Sequence, residues 1–204
     1  MIKNIIFDIG NVLISFKPAE FLDKMGYPEN TKNIILRHIF KSKEWQLIDN
    51  GDLSTGEAID SIASRSPLKR QEIIDIFDLR TNMLQPIARN IKLLPSLKKR
   101  GFKLYFLSNF PSDIFDDVFK TFPLFRFFDG GIISARVKAS KPDKKIFEIL
   151  LNKYSLLPSE SLFIDDLEPN VKTAESIGMT GIWLYDSVGL AELIENKLTR
   201  ISLR

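Results

Sequence analysis

Polar and charged side chains follow several short apolar runs, at the positions where β-strands would end. Three carboxylates that converged on one pocket would repel each other, and burying them would cost several kcal/mol unless a cation lay between them. No Cys or His belongs to this set, so its metal ligands would be hard oxygens, which favour Mg²⁺ over zinc or copper. The set comprises Asp8, Ser108, Asn109, Asp165 and Asp166, with Lys141 a few residues beyond a further run.

These residue types favour phosphoryl transfer. Mg²⁺, a lysine and a strand-end serine together make a receptor for a phosphate dianion, and one carboxylate is then free to attack phosphorus and form an aspartyl phosphate. A single strand-end aspartate is usually a turn or helix-cap residue. The interpretation therefore depends on whether the fold brings the set together.

Five apolar runs predict the strands that would do so. Most are continuously apolar, which is typical of strands covered on both faces. Strands alternating with helices predict an α/β fold with a doubly wound parallel sheet, which binds ligands beyond the carboxyl ends of its strands. The predicted strands are 2–7, 104–107, 131–134, 162–164 and 181–185. A predicted helix at 87–100 precedes the second strand, and helices at 113–120, 142–154 and 169–177 separate the last four strands.

The connection between the first two strands, from Asp8 to Leu104, is about three times longer than the ~30 residues of a simple β-α-β unit. Its pattern is helical, with predicted helices at 19–25, 30–42, 54–64 and 67–84. Ser54 and Glu57 have the spacing of a capping box. We therefore predict a core domain of residues 1–15 and 85–204, with a helical cap domain of residues 16–84 inserted after the first strand. A terminal helix is predicted from about Ser187.

Composition excludes several classes of protein. The 204 residues are 44% hydrophobic and 27% charged, which are ordinary globular values. The absence of cysteine excludes a disulfide framework, a thiolate zinc site and a cysteine nucleophile. No stretch approaches the roughly 18 apolar residues of a membrane span, and the first residues run directly into a strand pattern, so we expect a soluble, cytoplasmic protein without a signal peptide.

The net charge of +3 comes from short basic groups interleaved with acidic residues, not from a concentrated basic stripe. We therefore expect a small phosphorylated substrate as the partner, and neither nucleic acid nor a membrane. The sequence leaves open whether the protein is a monomer or a homodimer.

Four segments together resemble the haloacid-dehalogenase superfamily, most members of which are phosphatases. They are IIFDIGNVL near the start, KLYFLSN in the middle, then SKPDKKIFE, and FIDDLEPNV near the end. The segment 47–57 also resembles the helical cap of that family, of the C1 type. The FDxGNV pattern is similar to a branch that acts on sugar phosphates such as hexose 1-phosphates.

The resemblance implies a role for each residue of the set. Asp8 would be the nucleophile, and Lys141 would neutralise both it and the phosphoryl group. Mg²⁺ would be held by Asp8, Asp165, Asp166 and the backbone carbonyl of Gly10, in a loop supported by Asn170, while Ser108, Asn109 and Asn11 would bind the phosphate or substrate.

One position departs from the phosphatase pattern. The residue two after the nucleophile is usually an aspartate that serves as general acid and base, a contribution typically worth about 10²–10⁴-fold, but here it is Gly10. His38, the single histidine, is a possible replacement, although a helix-surface role fits it better. Trp45 and Phe16 either line the cleft between the domains or belong to the core.

The departure leaves two alternatives to a phosphatase. A binding or regulatory protein could keep the fold without turnover. A 2-haloacid dehalogenase also uses an aspartate nucleophile and lacks the second aspartate, and it would release chloride from a haloacid.

Overall fold

The computed structural model describes residues 1–185 and 189–202. Its strands are β1 (Asn4–Phe7), β2 (Ile14–Phe16), β3 (Leu84–Pro86), β4 (Lys103–Ser108), β5 (Gly130–Ile133), β6 (Ser161–Asp165) and β7 (Thr180–Trp183). Its α-helices are α1 (Pro18–Lys24), α2 (Glu29–Ile35), α3 (Lys43–Asn50), α4 (Thr55–Arg65), α5 (Arg70–Asp78), α6 (Ala88–Ile91), α7 (Leu93–Lys99), α8 (Ser112–Thr121), α9 (Ser134–Val137), α10 (Lys144–Tyr154), α11 (Glu168–Ser176) and α12 (Leu190–Ser202).

Five of the strands form one sheet in the order β5-β4-β1-β6-β7, and every neighbouring pair is parallel. The chain runs outwards from β1 in one direction to β5 and then in the other direction to β7. This order confirms the predicted doubly wound α/β fold and puts the topological switch point between β1 and β6, where ligands bind in such sheets.

Side chains of the sheet alternate between two apolar cores. In β1, Ile5 and Phe7 belong to the cluster on one face, and Ile6 belongs to the cluster on the other. The same alternation separates Ile164 from Phe163 in β6. Burial on both faces explains why the strands appear as continuous apolar runs in the sequence.

A third apolar cluster lies within the inserted segment, and all its buried residues fall between Leu22 and Met83. The two ends of the segment meet where β2 and β3 pair antiparallel, with Phe16 opposite Leu84. This clustering supports a separate cap of residues 16–84, here named the cap segment, on a core of 1–15 and 85–204. These domain bounds stay a prediction.

Several predicted elements differ from the structure in detail. The predicted helix 30–42 is α2 followed by a π-helical turn (Leu36–Phe40), and the helix 67–84 is α5 followed by a 3₁₀ turn (Arg80–Met83). The helix 87–100 divides into α6 and α7. The helix predicted to begin at residue 142 begins at Lys144, because the Asp143 side chain accepts a hydrogen bond from the Lys145 amide and caps it.

The predicted start of the terminal helix, Ser187, lies outside the described residues. None of the helices in the described part of the chain is long and apolar enough to cross a membrane.

Candidate active site

Three aspartates lie together at the switch point of the sheet. Asp8 directly follows β1, and its backbone N–H donates a 2.8 Å hydrogen bond to the carbonyl of Ile164, which continues the ladder to β6. Asp165 is the last residue of β6, and Asp166 follows it. One carboxylate oxygen from each of these three aspartates lies within 4.8 Å of the others, so the fold brings together the carboxylates that the sequence suggested.

Lys141 lies among these carboxylates and is almost fully buried. Its Nζ is 3.0 Å from Oδ1 of Asp8 and 2.6 Å from Oδ2 of Asp165. Burial alone would lower the pKa of the ammonium group, but the two carboxylates outweigh burial and raise the pKa of Lys141 above its ordinary value. The lysine is therefore a fixed positive charge in contact with the predicted nucleophile.

One lysine does not balance three carboxylates. Burial raises the pKa of Asp8 to about 7, an effect that Lys141 opposes and Asp165 reinforces. Burial and Asp165 also raise the pKa of Asp166, against a hydrogen bond from Asn11. A divalent cation among them would remove the repulsion and lower both pKa values, and carboxylate oxygens are the ligands that Mg²⁺ prefers. The residues therefore fit a Mg²⁺ ion.

Asp165 and Asp166 differ in their surroundings. Asp165 accepts hydrogen bonds from the Leu167 amide at 2.8 Å, from the Asn170 side chain at 2.9 Å and from Lys141. It is fully buried and does not belong to the cavity lining, whereas Asp166 does. Asp165 therefore fixes Lys141 and the loop beyond β6, and Asp166 is the carboxylate of the pair that is open to a ligand.

Two asparagines position the charged residues. The Asn109 side chain donates to the Lys141 carbonyl at 2.9 Å and accepts from the Lys141 amide at 2.8 Å. The Asn11 side chain donates to Asp166 at 3.2 Å and accepts from the Phe16 amide at 3.1 Å. Ser108, although buried, lines the cavity together with both asparagines.

The cavity beside these residues has a volume of about 360 Å³. Gly10 forms part of its lining, and a Cβ added there would meet no atom within 4 Å. The charged groups from the sheet lie at one side, and much of the remaining wall is apolar, formed by Ile14, Phe16, Trp45, Leu84, Phe110 and Ile114.

Phe16 and Trp45 both line the cavity and pack on the apolar cluster of the cap segment. Their rings stack with centroids 5.7 Å apart, so the two possibilities left open by the sequence are both realised. His38 is absent from the described cavity lining.

Sequence reasoning missed two charged residues of the cavity, Asp49 of α3 and the buried Arg80. Neither follows a strand, so neither carries the signal that identified the others. For Asp49 a weaker signal existed, because it lies four residues after Trp45 and hence on the same helix face. For Arg80 the sequence holds no comparable signal.

Comparison with known proteins identifies relatives along almost the whole chain. A sesquiterpene phosphatase of Aspergillus oryzae is 30% identical over 91% of each chain. A D-ribitol-5-phosphate phosphatase of Bacteroides thetaiotaomicron is 26% identical over 87% of this chain and 89% of that protein.

Among solved structures, a haloacid dehalogenase family enzyme of B. thetaiotaomicron, in complex with magnesium and inorganic phosphate, superposes with a TM-score of 0.69 and 24% identity, covering 90% of this chain and 94% of that one. The family model for haloacid dehalogenase-like hydrolases matches residues 2–178. The chain therefore belongs to the haloacid dehalogenase-like hydrolases.

Proposed function

We propose that this hydrolase is a Mg²⁺-dependent phosphatase that transfers the phosphoryl group of a small phosphate monoester to Asp8 and then to water. The observation that carries the proposal is the Asp8 carboxylate, which lines the cavity in contact with a buried lysine and within reach of a second lining carboxylate, Asp166. The phosphatases among its relatives support the same reaction.

Mg²⁺ would be held by Asp8, Asp166 and the Gly10 carbonyl. Asp165 would complete the negative charge around the ion and hold Lys141. When bound, the cation offsets the negative charge that otherwise keeps a phosphate dianion away from a carboxylate nucleophile. The Asp8 carboxylate attacks phosphorus, and Lys141 stabilises the charge on the carboxylate and the phosphoryl oxygens. Ser108 binds the phosphoryl group, and Asn109 holds the Lys141 backbone in place.

The apolar part of the cavity wall favours one class of substrate over another. A hexose 1-phosphate, which the FDxGNV pattern suggested, would bring several hydroxyl groups against the apolar side chains of Phe16, Trp45 and Ile114, and each hydroxyl left without a partner would lose hydrogen bonds to water. An ester with an apolar body would instead gain from burial. We therefore favour phosphate esters of apolar alcohols, a choice that the sesquiterpene phosphatase supports.

The test is a Mg²⁺-dependent activity screen with 4-nitrophenyl phosphate, farnesyl phosphate, glucose 1-phosphate and ribitol 5-phosphate. We expect hydrolysis that excess EDTA stops, and a kcat/KM at least about tenfold higher for farnesyl phosphate than for the two sugar phosphates. A preference for a sugar phosphate would contradict the substrate class but not the reaction.

The Asp8→Asn variant is the control for the reaction itself. The amide cannot form an acyl phosphate, so we expect no turnover from a protein with an unchanged circular dichroism spectrum. Full activity in this variant or in EDTA would refute the mechanism. Chloride release from 2-chloropropionate would favour a dehalogenase, and Mg²⁺ binding without turnover of any ester would favour a regulatory protein.

A further inference from the structure

We propose that Asp49, on α3 of the cap segment, is the general acid and base of the proposed phosphatase. It would replace the aspartate that most phosphatases of the family have at the position of Gly10. The inference depends on the proposed function, because it assigns the proton transfers of that reaction. The attachment of α3 to the core, the cavity lining and the charges around Asp49 support it.

The first support is the attachment of α3 to the core. The Ser134 hydroxyl donates to the carbonyl of Asp49, and the Ser140 hydroxyl donates to Oδ1 of Asn50 at 2.7 Å. The helix ends at Asn50 and is capped by Gly51, whose φ of 76° lies in the left-handed region. Ser140 directly precedes Lys141 in the chain. The end of α3 is therefore fixed to the same loop that supplies the lysine of the site.

Gly51 allows this approach. A Cβ built on it would lie 2.4 Å from the backbone carbonyl oxygen of Ala135, on α9. A larger residue would push α3 away from the core, and Asp49 with it. The glycine at the end of α3 thus permits the close packing that holds this end of the helix, which carries Asp49, against the core.

The second support is the cavity. Asp8 and Asp166 line it from the sheet, and Asp49 lines it from the cap segment. Among the described lining residues, Asp49 is the one carboxyl group outside the predicted metal cluster. A phosphate ester bound at Asp8 has to place its alcohol part in the rest of this cavity, so the leaving oxygen lies between the sheet and the cap segment.

The third support is the state of the carboxyl group. Burial raises the pKa of Asp49 to about 7, opposed by the charge of Arg80 and a hydrogen bond from the Trp45 side chain, and reinforced by the charge of Asp113. An acid with a pKa near the working pH both gives and takes protons effectively. Asp49 is therefore populated in both forms at neutral pH.

The proton transfers balance over the two steps. As Asp8 bonds to phosphorus, the bond from phosphorus to the ester oxygen breaks, and that oxygen keeps the electron pair and takes the proton of Asp49. In the second step the Asp49 carboxylate takes a proton from water, whose oxygen bonds to phosphorus. The bond between phosphorus and Asp8 breaks, inorganic phosphate leaves, and Asp49 is again protonated.

The Asp49→Asn variant tests this role with three esters whose leaving groups differ in basicity: 4-nitrophenyl, phenyl and n-hexyl phosphate. An amide cannot protonate the departing oxygen, so kcat/KM for n-hexyl phosphate should fall about 10²–10⁴-fold, while 4-nitrophenyl phosphate, which needs no acid, should change much less. In wild type the dependence of log kcat/KM on leaving-group pKa should be shallow, and in the variant it should be steep.

The pH profile supplies a second readout. Because the first step needs protonated Asp49, kcat/KM for n-hexyl phosphate in wild type should fall as the pH rises through about 7, and this fall should be missing in the variant. Ionisation of the ester itself affects the pH profiles of wild type and variant equally, so it cannot produce this difference. The matched control is Asp60→Asn, which removes an exposed carboxylate of the cap segment paired with Arg70 and should leave slope and profile unchanged.

Each other outcome has a definite meaning. An equal loss for all three esters, with an unchanged slope and pH profile, would mean that Asp49 only supports the structure, and would overturn the inference while leaving the phosphatase intact. An Asp49→Asn variant as active as wild type would also overturn it. Absence of any phosphatase activity in wild type would instead refute the proposed function, and the inference with it.

Discussion

At the scale of single residues, Lys141 supplies the positive charge that partly balances the carboxylates of the site. It contacts Asp8 and Asp165, and both partners are buried. The ammonium group would serve the bound phosphate and the transition state alike, so its removal should affect affinity and rate together.

We expect Lys141→Ala to weaken inhibition by inorganic phosphate and to lower kcat by at least about 10²-fold. The variant also leaves two buried carboxylates without their partner, a change that typically costs about 3–5 kcal/mol of stability. Urea unfolding should therefore accompany the assays. Lys144→Ala, which removes an exposed lysine of α10, is the control, and equal inhibition of Lys141→Ala and wild type would place Lys141 outside the site.

Gly10 offers a second test of proton transfer. Its backbone is not in the left-handed region, and a Cβ there meets nothing within 4 Å, so an aspartate should fit. We expect Gly10→Asp to restore part of the n-hexyl phosphate hydrolysis lost in Asp49→Asn, because the new carboxyl group could supply the missing proton. The recovery should be partial, since an added Cβ there has no described atom within 4 Å to hold the new side chain in place. A double variant no better than Asp49→Asn on n-hexyl phosphate would contradict this prediction.

At the scale of elements, the helix that carries Asp49 is held by an ion pair inside the cap segment. Glu44 of α3 accepts hydrogen bonds from the Arg65 side chain at 3.0 Å and from the Ser61 hydroxyl at 2.8 Å, both on α4. These contacts, led by Arg65, lower the pKa of Glu44 to about 2. The pair therefore favours the ionised carboxylate in the folded state.

A lowered pKa contributes stability that is present above the ordinary pKa of 4.5 and is lost as the pH falls through about 2. We expect Glu44→Gln to reduce the free energy of unfolding by about 1 kcal/mol at pH 7, after allowing for solvent screening at the partly exposed Arg65. The difference from wild type should shrink between pH 4.5 and 2 in urea titrations. Glu20→Gln, which removes an exposed pair with Lys17, should have little effect, and a constant difference at all pH values would exclude this pair as the cause.

The helix α3 is also an example of an element that the sequence did not predict. The strands of the sheet were predictable because burial on both faces leaves continuous apolar runs. The start of α4 was predictable from the capping box of Ser54, which the structure contains. The helix α3 was missed because one of its two buried residues is the charged Glu44, so its apolar spacing is weak. The pairing of β2 with β3 was missed because it joins segments far apart in the chain with no local turn signal.

The candidate site divides in the same way. Asp8 and Asp166 directly follow strands and Ser108 is the last residue of one, so a prediction of the sheet also places them. The positions of Asp49 and Arg80 depend on how the cap segment packs on the core, and no local pattern encodes that packing. A sequence can thus reveal the chemistry at the sheet while leaving the opposite wall of the cavity undefined.

At the scale of the whole molecule, one ion pair joins the cap segment to the core beside the cavity. Nη2 of the buried Arg80 lies 3.0 Å from Oδ2 of Asp113, on α8. The Thr55 hydroxyl donates a hydrogen bond to the same oxygen at 2.6 Å. Both charges of the pair act on Asp49: Arg80 lowers its pKa and Asp113 raises it. The contact between the two parts of the protein therefore adjusts the pKa of the proposed acid, which burial raises most.

Replacing Asp113 with Asn should show this coupling. The amide can still accept a hydrogen bond from Arg80, so the cap segment should stay in place, but the negative charge that raises the pKa of Asp49 is gone. Arg80 then acts unopposed, the pKa of Asp49 falls, and the decline of kcat/KM for n-hexyl phosphate should move to a lower pH than in wild type. The control is Asp116→Asn, which removes an exposed carboxylate of the same helix paired with Arg136 and should leave the profile where it is. A midpoint that stays constant or rises in Asp113→Asn, with urea unfolding unchanged, would mean that the titrating group is not Asp49.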